Sequence, residues 1–195
     1  MKPVELFIER MKFICPEMTN EEIEAFKYGL YEKSFKKKEL LFDQLKPQDH
    51  ILFITSGLMR SFYIDNKGNQ ISAWFVKEFD FVSDYPAFLN GAKSNYLFEA
   101  IEDITAVAIP KDIIVGAYDA SLEFQKFGRL IAEEAVQFLQ GRIESLLFKT
   151  ATERYLEFIE KEPEFFNRLS LEHISTYLGM ERQSLTRIRK NLKTK

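Results

Sequence analysis

The chain has 195 residues, 46% of them hydrophobic and 29% charged, with a formal net charge of −3. This is an ordinary globular composition, with room for one large or two small domains. One cysteine and two histidines exclude an internal disulfide and a cysteine-ligated iron–sulfur cluster, and they weaken every metal-centred activity. No apolar run is long enough to span a bilayer, and Glu5 and Glu9 stand where a signal peptide would be apolar, so a reducing, cytoplasmic setting is expected.

Val4, Leu6, Phe7, Met11, Phe13 and Ile14 predict a short amphipathic helix over 3–14, broken at Cys15-Pro16. Thr19 and Glu22 form a capping-box pattern for a second helix, with Ile23, Phe26 and Leu30 as its buried face. The period then changes to two, with Tyr31, Lys33 and Phe35 alternating with polar residues. Lys36-Lys37-Lys38 reads as a solvated strand edge or turn. Asp49 to Thr55 is a strand, and His50 at its start is expected at the surface. Ser56-Gly57 makes a tight turn, Leu58 to Ile64 the next strand, and Asp65-Asn66-Lys67-Gly68-Asn69 a hairpin loop before Gln70 to Val76 returns. Tyr96 to Ala100 and Ile104 to Ile109 are further strands. Many short strands joined by turns predict an antiparallel sandwich or jelly roll. The 19 phenylalanines fill a core or line an apolar pocket, and the count does not separate these uses.

Past Pro110 the helical period returns, with a short helix over Ile113 to Tyr118 and a long one from about Leu122 to Phe148. The long helix carries Phe124, Phe127, Ile131, Ala135, Phe138, Leu139, Ile143, Leu146 and Leu147, a stripe wider than a strand domain covers. It is a candidate dimer seam, with the core helix of a single domain as the plainer reading. Glu134 and Arg142 interrupt a strict heptad, so no regular coiled coil is expected. Thr150 to Glu160 is another helix, with Tyr155, Leu156 and Ile159 inward.

The last stretch has the layout of a helix-turn-helix. Leu171, Ile174 and Leu178 share one helix face, and Leu185, Ile188 and Leu192 repeat the spacing beyond Gly179. Ser170 can cap the first helix, Gly179 can take the left-handed turn, and Ser175 is small enough to let the helices cross closely. His173 is expected to face solvent. From Arg182 to Lys195 there are six basic residues, Arg182, Arg187, Arg189, Lys190, Lys193 and Lys195, and no acidic ones, while the rest of the chain holds 21 basic and 30 acidic. A basic tip on an acidic body suits a phosphate-seeking end, although a basic terminal helix can also be merely solvated.

A β roll, a long helix and a helix-turn-helix, in that order, resemble the cyclic-AMP receptor/fumarate-nitrate regulator (Crp/Fnr) family. The resemblance rests on the Ile51 to Val76 strand set, on Phe79-Asp80-Phe81 in place of that family's Gly-Asp-Phe, and on Gly179 to Arg187. It implies an α+β fold: an N-terminal β-roll like a cyclic-nucleotide-binding jelly roll over 1–118, a dimerisation helix over 119–148, and a helix-turn-helix DNA-binding domain without a complete wing over 149–195. It places Arg182, Gln183, Ser184 and Arg187 on the positions that face DNA, with Arg189 and Lys190 on phosphates. In the nucleotide cassette, Ser83-Asp84 stands for the family's Gly-Glu and Ser94-Asn95 for its Arg-Ser. Without that arginine the bidentate phosphate contact is gone, and Tyr85, Phe88, Tyr96 and Phe98 add bulk where a nucleotide would lie.

The expected function is therefore a homodimeric, sequence-specific transcription regulator on palindromic DNA, not controlled by cyclic AMP. The alternative is a sensing module that mainly binds an effector and holds DNA weakly. The candidate effector pocket is Ser83, Asp84, Tyr85, Ser94, Asn95 and Tyr96. Expected partners are double-stranded DNA and a second copy, with RNA polymerase and an unidentified small-molecule effector as further candidates. No cofactor, metal site, membrane contact or enzymatic activity is expected, because no nucleophile–base pair is legible.

Overall fold

The structure, a computed structural model, describes residues 1–193; Lys195 and the side chain of Lys193, counted above among the basic residues, lie outside what is described. In chain order the elements are α1 (Pro3–Ile14), α2 (Asn20–Lys27), β1 (Tyr31–Phe35), β2 (His50–Ser56), β3 (Met59–Ile64), β4 (Gln70–Val76), β5 (Phe81–Val82), α3 (Tyr85–Asn90), β6 (Leu97–Ala100), β7 (Ile104–Pro110), α4 (Lys111–Ala120), α5 (Leu122–Phe148), α6 (Ala151–Lys161), α7 (Phe165–Arg168), α8 (Leu171–Tyr177) and α9 (Arg182–Lys193). Among the described residues no helix is long and apolar enough to cross a membrane. The chain forms two compact units, 1–61 with 75–134 and 62–74 with 135–195.

The predicted period-two stretches become two antiparallel sheets, of which the larger lies within the first unit. One sheet has the order β1-β7-β2-β5 and the other β4-β3-β6. Antiparallel registers pair Tyr31 and Leu52 with Ala108 on either side of β7, and a bulge lies between Ile54 and Ser56. Phe53, Val107 and Ile109 point into a core with Phe7, Met11, Ile23, Phe26, Phe124 and Phe127. Side chains alternate along a strand, so His50, Leu52, Ile54, Ala106, Ala108, Tyr31, Lys33 and Phe35 share the opposite face. The phenylalanines go largely to this core: Phe7 lies 5.1 Å from Phe53, Phe26 4.6 Å from Phe124, and Phe81 6.1 Å from Phe127 between ring centres. Such tilted and edge-on pairs add to the burial of the rings themselves.

The caps read from sequence are made. Thr19 accepts from the Glu22 N–H while Glu22 accepts from the Thr19 N–H; an unforeseen second capping box, Thr150 with Glu153, starts α6. Three expectations change. His50 is buried rather than at the surface. Leu156 of α6 is exposed, and Phe158 turns inward beside Tyr155 in its place. The segment 85–90, read above as part of an altered cassette, is the helix α3. Asp84 caps it, Pro86 sits in its first turn, and Gly91 ends it at φ +60°. Those three residues are the signal that could have revealed it.

Candidate nucleic-acid interface and effector site

In the second unit α8 begins at Ser170, whose hydroxyl accepts from the His173 N–H at 3.1 Å. Ile174, Ser175, Leu178 and Leu185 are buried, so α8 and α9 meet on the faces that periodicity assigned. His173, expected in solvent, is half-buried. Gly179 turns the chain at φ +63°, and a β-carbon there would stand 3.2 Å from Leu146. A side chain at this position therefore meets both backbone strain and crowding. The Met180 N–H donates to the Ser175 carbonyl at 3.0 Å and closes the turn.

The end of α8 leaves carbonyls without partners in the helix, and two arginines take them. Arg142 of α5 donates to the Tyr177 carbonyl and lies 3.9 Å over the Tyr177 ring. Arg154 of α6 donates to Leu178 at 2.8 Å, Gly179 at 3.4 Å and Lys149 at 2.6 Å. Neither role was legible in sequence, because partners 24 and 35 residues away leave no periodic trace.

On α9, Arg182, Gln183, Thr186, Arg187 and Lys190 are exposed on one side, and Leu185 is buried on the other. Ser184 is half-buried. Arg189, expected on phosphate, is half-buried and lies 4.5 Å over the Phe166 ring. Among its described side chains the helix has three exposed cations, Arg182, Arg187 and Lys190, its sequence has no acidic residue, and the positive end of its dipole lies at Arg182.

In the first unit the structure brings together part of the candidate effector pocket. The buried Asp84 carboxylate accepts from the Ala87 N–H at 3.3 Å through one oxygen and from the Ser94 hydroxyl at 2.8 Å through the other. The Ser94 oxygen accepts from the Tyr96 N–H at 2.9 Å. Gln48, which sequence reasoning did not find, is buried and accepts from the Ser83 hydroxyl and the Asp84 N–H, both at 2.9 Å. Its Nε2 atom is buried with no hydrogen-bond partner. Asn95 and Tyr85 are exposed, the latter stacked on Phe88. The cassette thus closes on itself: the carboxylate that would hold a ligand hydroxyl caps α3 and binds Ser94.

Residues 32–120 match the cyclic nucleotide-binding domain family. Solved structures extend the likeness to most of the chain. FixK2 of Bradyrhizobium japonicum is 19% identical, with 85% of each chain covered and a TM-score of 0.74. A protein of Eubacterium rectale described as a transcriptional regulator of the Crp/Fnr family is 16% identical over 92% of this chain and 85% of its own, with a TM-score of 0.71. The c-di-GMP-responsive global regulator CLP of Xanthomonas campestris is 13% identical over 90% and 92%, with a TM-score of 0.69. No curated protein matches the chain.

Proposed function

We propose that this chain, which carries a cyclic nucleotide-binding domain over residues 32–120 and shares the fold of Crp/Fnr regulators, is a homodimeric transcription regulator that reads palindromic DNA without control by cyclic AMP. The observation that carries the reading is α9, which presents Arg182, Gln183, Thr186, Arg187 and Lys190 on an open face while Leu185 locks its back. A helix so mounted fits a major groove. Arg182 or Arg187 can grip guanine O6 and N7, and Gln183 can pair with adenine N6 and N7. Lys190 supplies phosphate contact, and Ser184 borders the face. Arg189, laid on Phe166, serves first to fix the helix.

The three-part division of labour, 1–118 for sensing, 119–148 for pairing and 149–195 for DNA, belongs to the same proposal, as do a cytoplasmic setting and RNA polymerase as a further partner. Exposed apolar residues on α5 support the pairing. The closed bonding of Asp84 with Ser94 supports independence from cyclic AMP. CLP, described as responsive to c-di-GMP, is an example of this fold with another effector.

Selection of bound fragments from random DNA tests the whole reading. Two half-sites about 34 Å apart should emerge, the same with and without cyclic AMP. Arg187→Ala should then lose roughly 1–3 kcal/mol on the selected site and relax the preference at one base pair. Fragments with no common sequence would favour the sensing module, and sites that appear only with cyclic AMP would overturn the independence.

A further inference from the structure

We propose that Lys33 is a covalent modification site, an amine that takes the acyl group of a small acyl phosphate with His50 as its proton acceptor. The geometry behind it is a relay. Asp49 Oδ1 lies 2.5 Å from His50 Nδ1, and His50 Nε2 lies 3.0 Å from Lys33 Nζ. A carboxylate at Nδ1 keeps the proton there, which leaves the Nε2 lone pair facing the lysine. His50 itself is buried, against Phe42 at 5.2 Å between ring centres. Lys33 is half-buried on β1, an edge strand, so its amine is reachable from one side. Its Nζ lies 5.8 Å from the Tyr31 ring and 5.9 Å from the Phe35 ring, an apolar wall against which a short acyl chain can rest.

The electrostatics agree. Burial lowers the pKa of Lys33 against the opposing pull of Asp49, and burial also lowers that of His50. The hydrogen bond from His50 holds the Asp49 carboxyl low. Asp49 is therefore charged, His50 neutral, and the lysine closer to its free-amine form than a solvated one. In the reaction the ammonium passes a proton to His50 Nε2, and the imidazolium is held by Asp49. The Nζ lone pair forms a bond to the acyl carbon, the carbon–oxygen bond to phosphate breaks, and inorganic phosphate leaves with that electron pair. A second proton leaves the nitrogen for water, giving the neutral amide. No oxidant or reductant takes part. The product removes a cation from the face that Lys33 shares with His50.

The test uses the whole protein with acetyl phosphate, following each lysine by site-resolved mass spectrometry. Lys33 should be acetylated roughly tenfold faster than exposed Lys37, as a lowered pKa and an adjacent base imply. His50→Gln should bring Lys33 down to the Lys37 rate, Asp49→Asn should slow it several-fold, and Lys37 should be unchanged in both. Asp49 lies at the surface, so its variant decides the matter even where His50→Gln does not fold. Equal rates at Lys33 and Lys37 in the unaltered protein, or a Lys33 rate indifferent to Asp49→Asn, would overturn the assignment.

Discussion

Phe79 holds a backbone that L-residues rarely adopt, at φ +70°, where the resemblance expects glycine. Its N–H donates to the Ile54 carbonyl at 2.8 Å, and its ring lies 6.5 Å from Phe53, so the turn survives the substitution. The left-handed conformation costs a non-glycine residue roughly 1–2 kcal/mol. Alanine there keeps the strain and loses the ring, while glycine loses the ring and removes the strain. Phe79→Gly should therefore be more stable than Phe79→Ala by about 1 kcal/mol in chemical denaturation, inverting the usual order of the two residues. An alanine variant equal to or above glycine would show that the turn carries no strain. The residue type at 79 was plain in sequence, but that it keeps the glycine geometry was not.

Between elements, Glu157 of α6 gathers three donors: Ser145 at the end of α5, and Lys149 and Lys161, each at 2.9 Å. Lys149 foremost, then Lys161 and Ser145, hold its carboxyl down to about 2, against an ordinary value of 4.5. A depressed folded pKa means that the unfolded chain binds more protons between those values. The contribution is complete above about 4.5 and disappears as pH falls toward about 2. Urea denaturation from pH 7 to pH 3 should show this acid limb in the unaltered protein and a flatter one in Glu157→Gln. The two arginines at the end of α8 act at the same scale. They explain why Arg142 stands in a helix otherwise striped with apolar residues: it leaves the stripe to hold the Tyr177 carbonyl.

At the scale of the molecule, α5 divides its apolar stripe. Phe124 and Phe127 are in the core of the first unit, while Val136, Leu139, Ile143 and Leu146 are exposed, Ile143 at 57%. Those four fall at alternating spacings of three and four, the spacing of an a/d seam, and neither Glu134 nor Arg142 is among them. Each such side chain contributes about 1.5–3 kcal/mol when fully buried, so a second copy is the natural cover. Analytical ultracentrifugation at micromolar concentration should give a dimer, and Ile143→Glu a monomer; a monomeric unaltered protein would remove the seam. Local signals determined much of this protein by themselves: the caps at Thr19 and Ser170, the period-two strands, the Gly179 turn, and the basic face of α9. Each depends on residues within one or two turns of each other. Only the tertiary structure decided that His50 is buried beside Lys33, that Gln48 joins Ser83 and Asp84, and that Arg142 and Arg154 secure the turn. Those contacts join residues 17 to 36 apart, and such pairings are set by packing and leave no period in the chain.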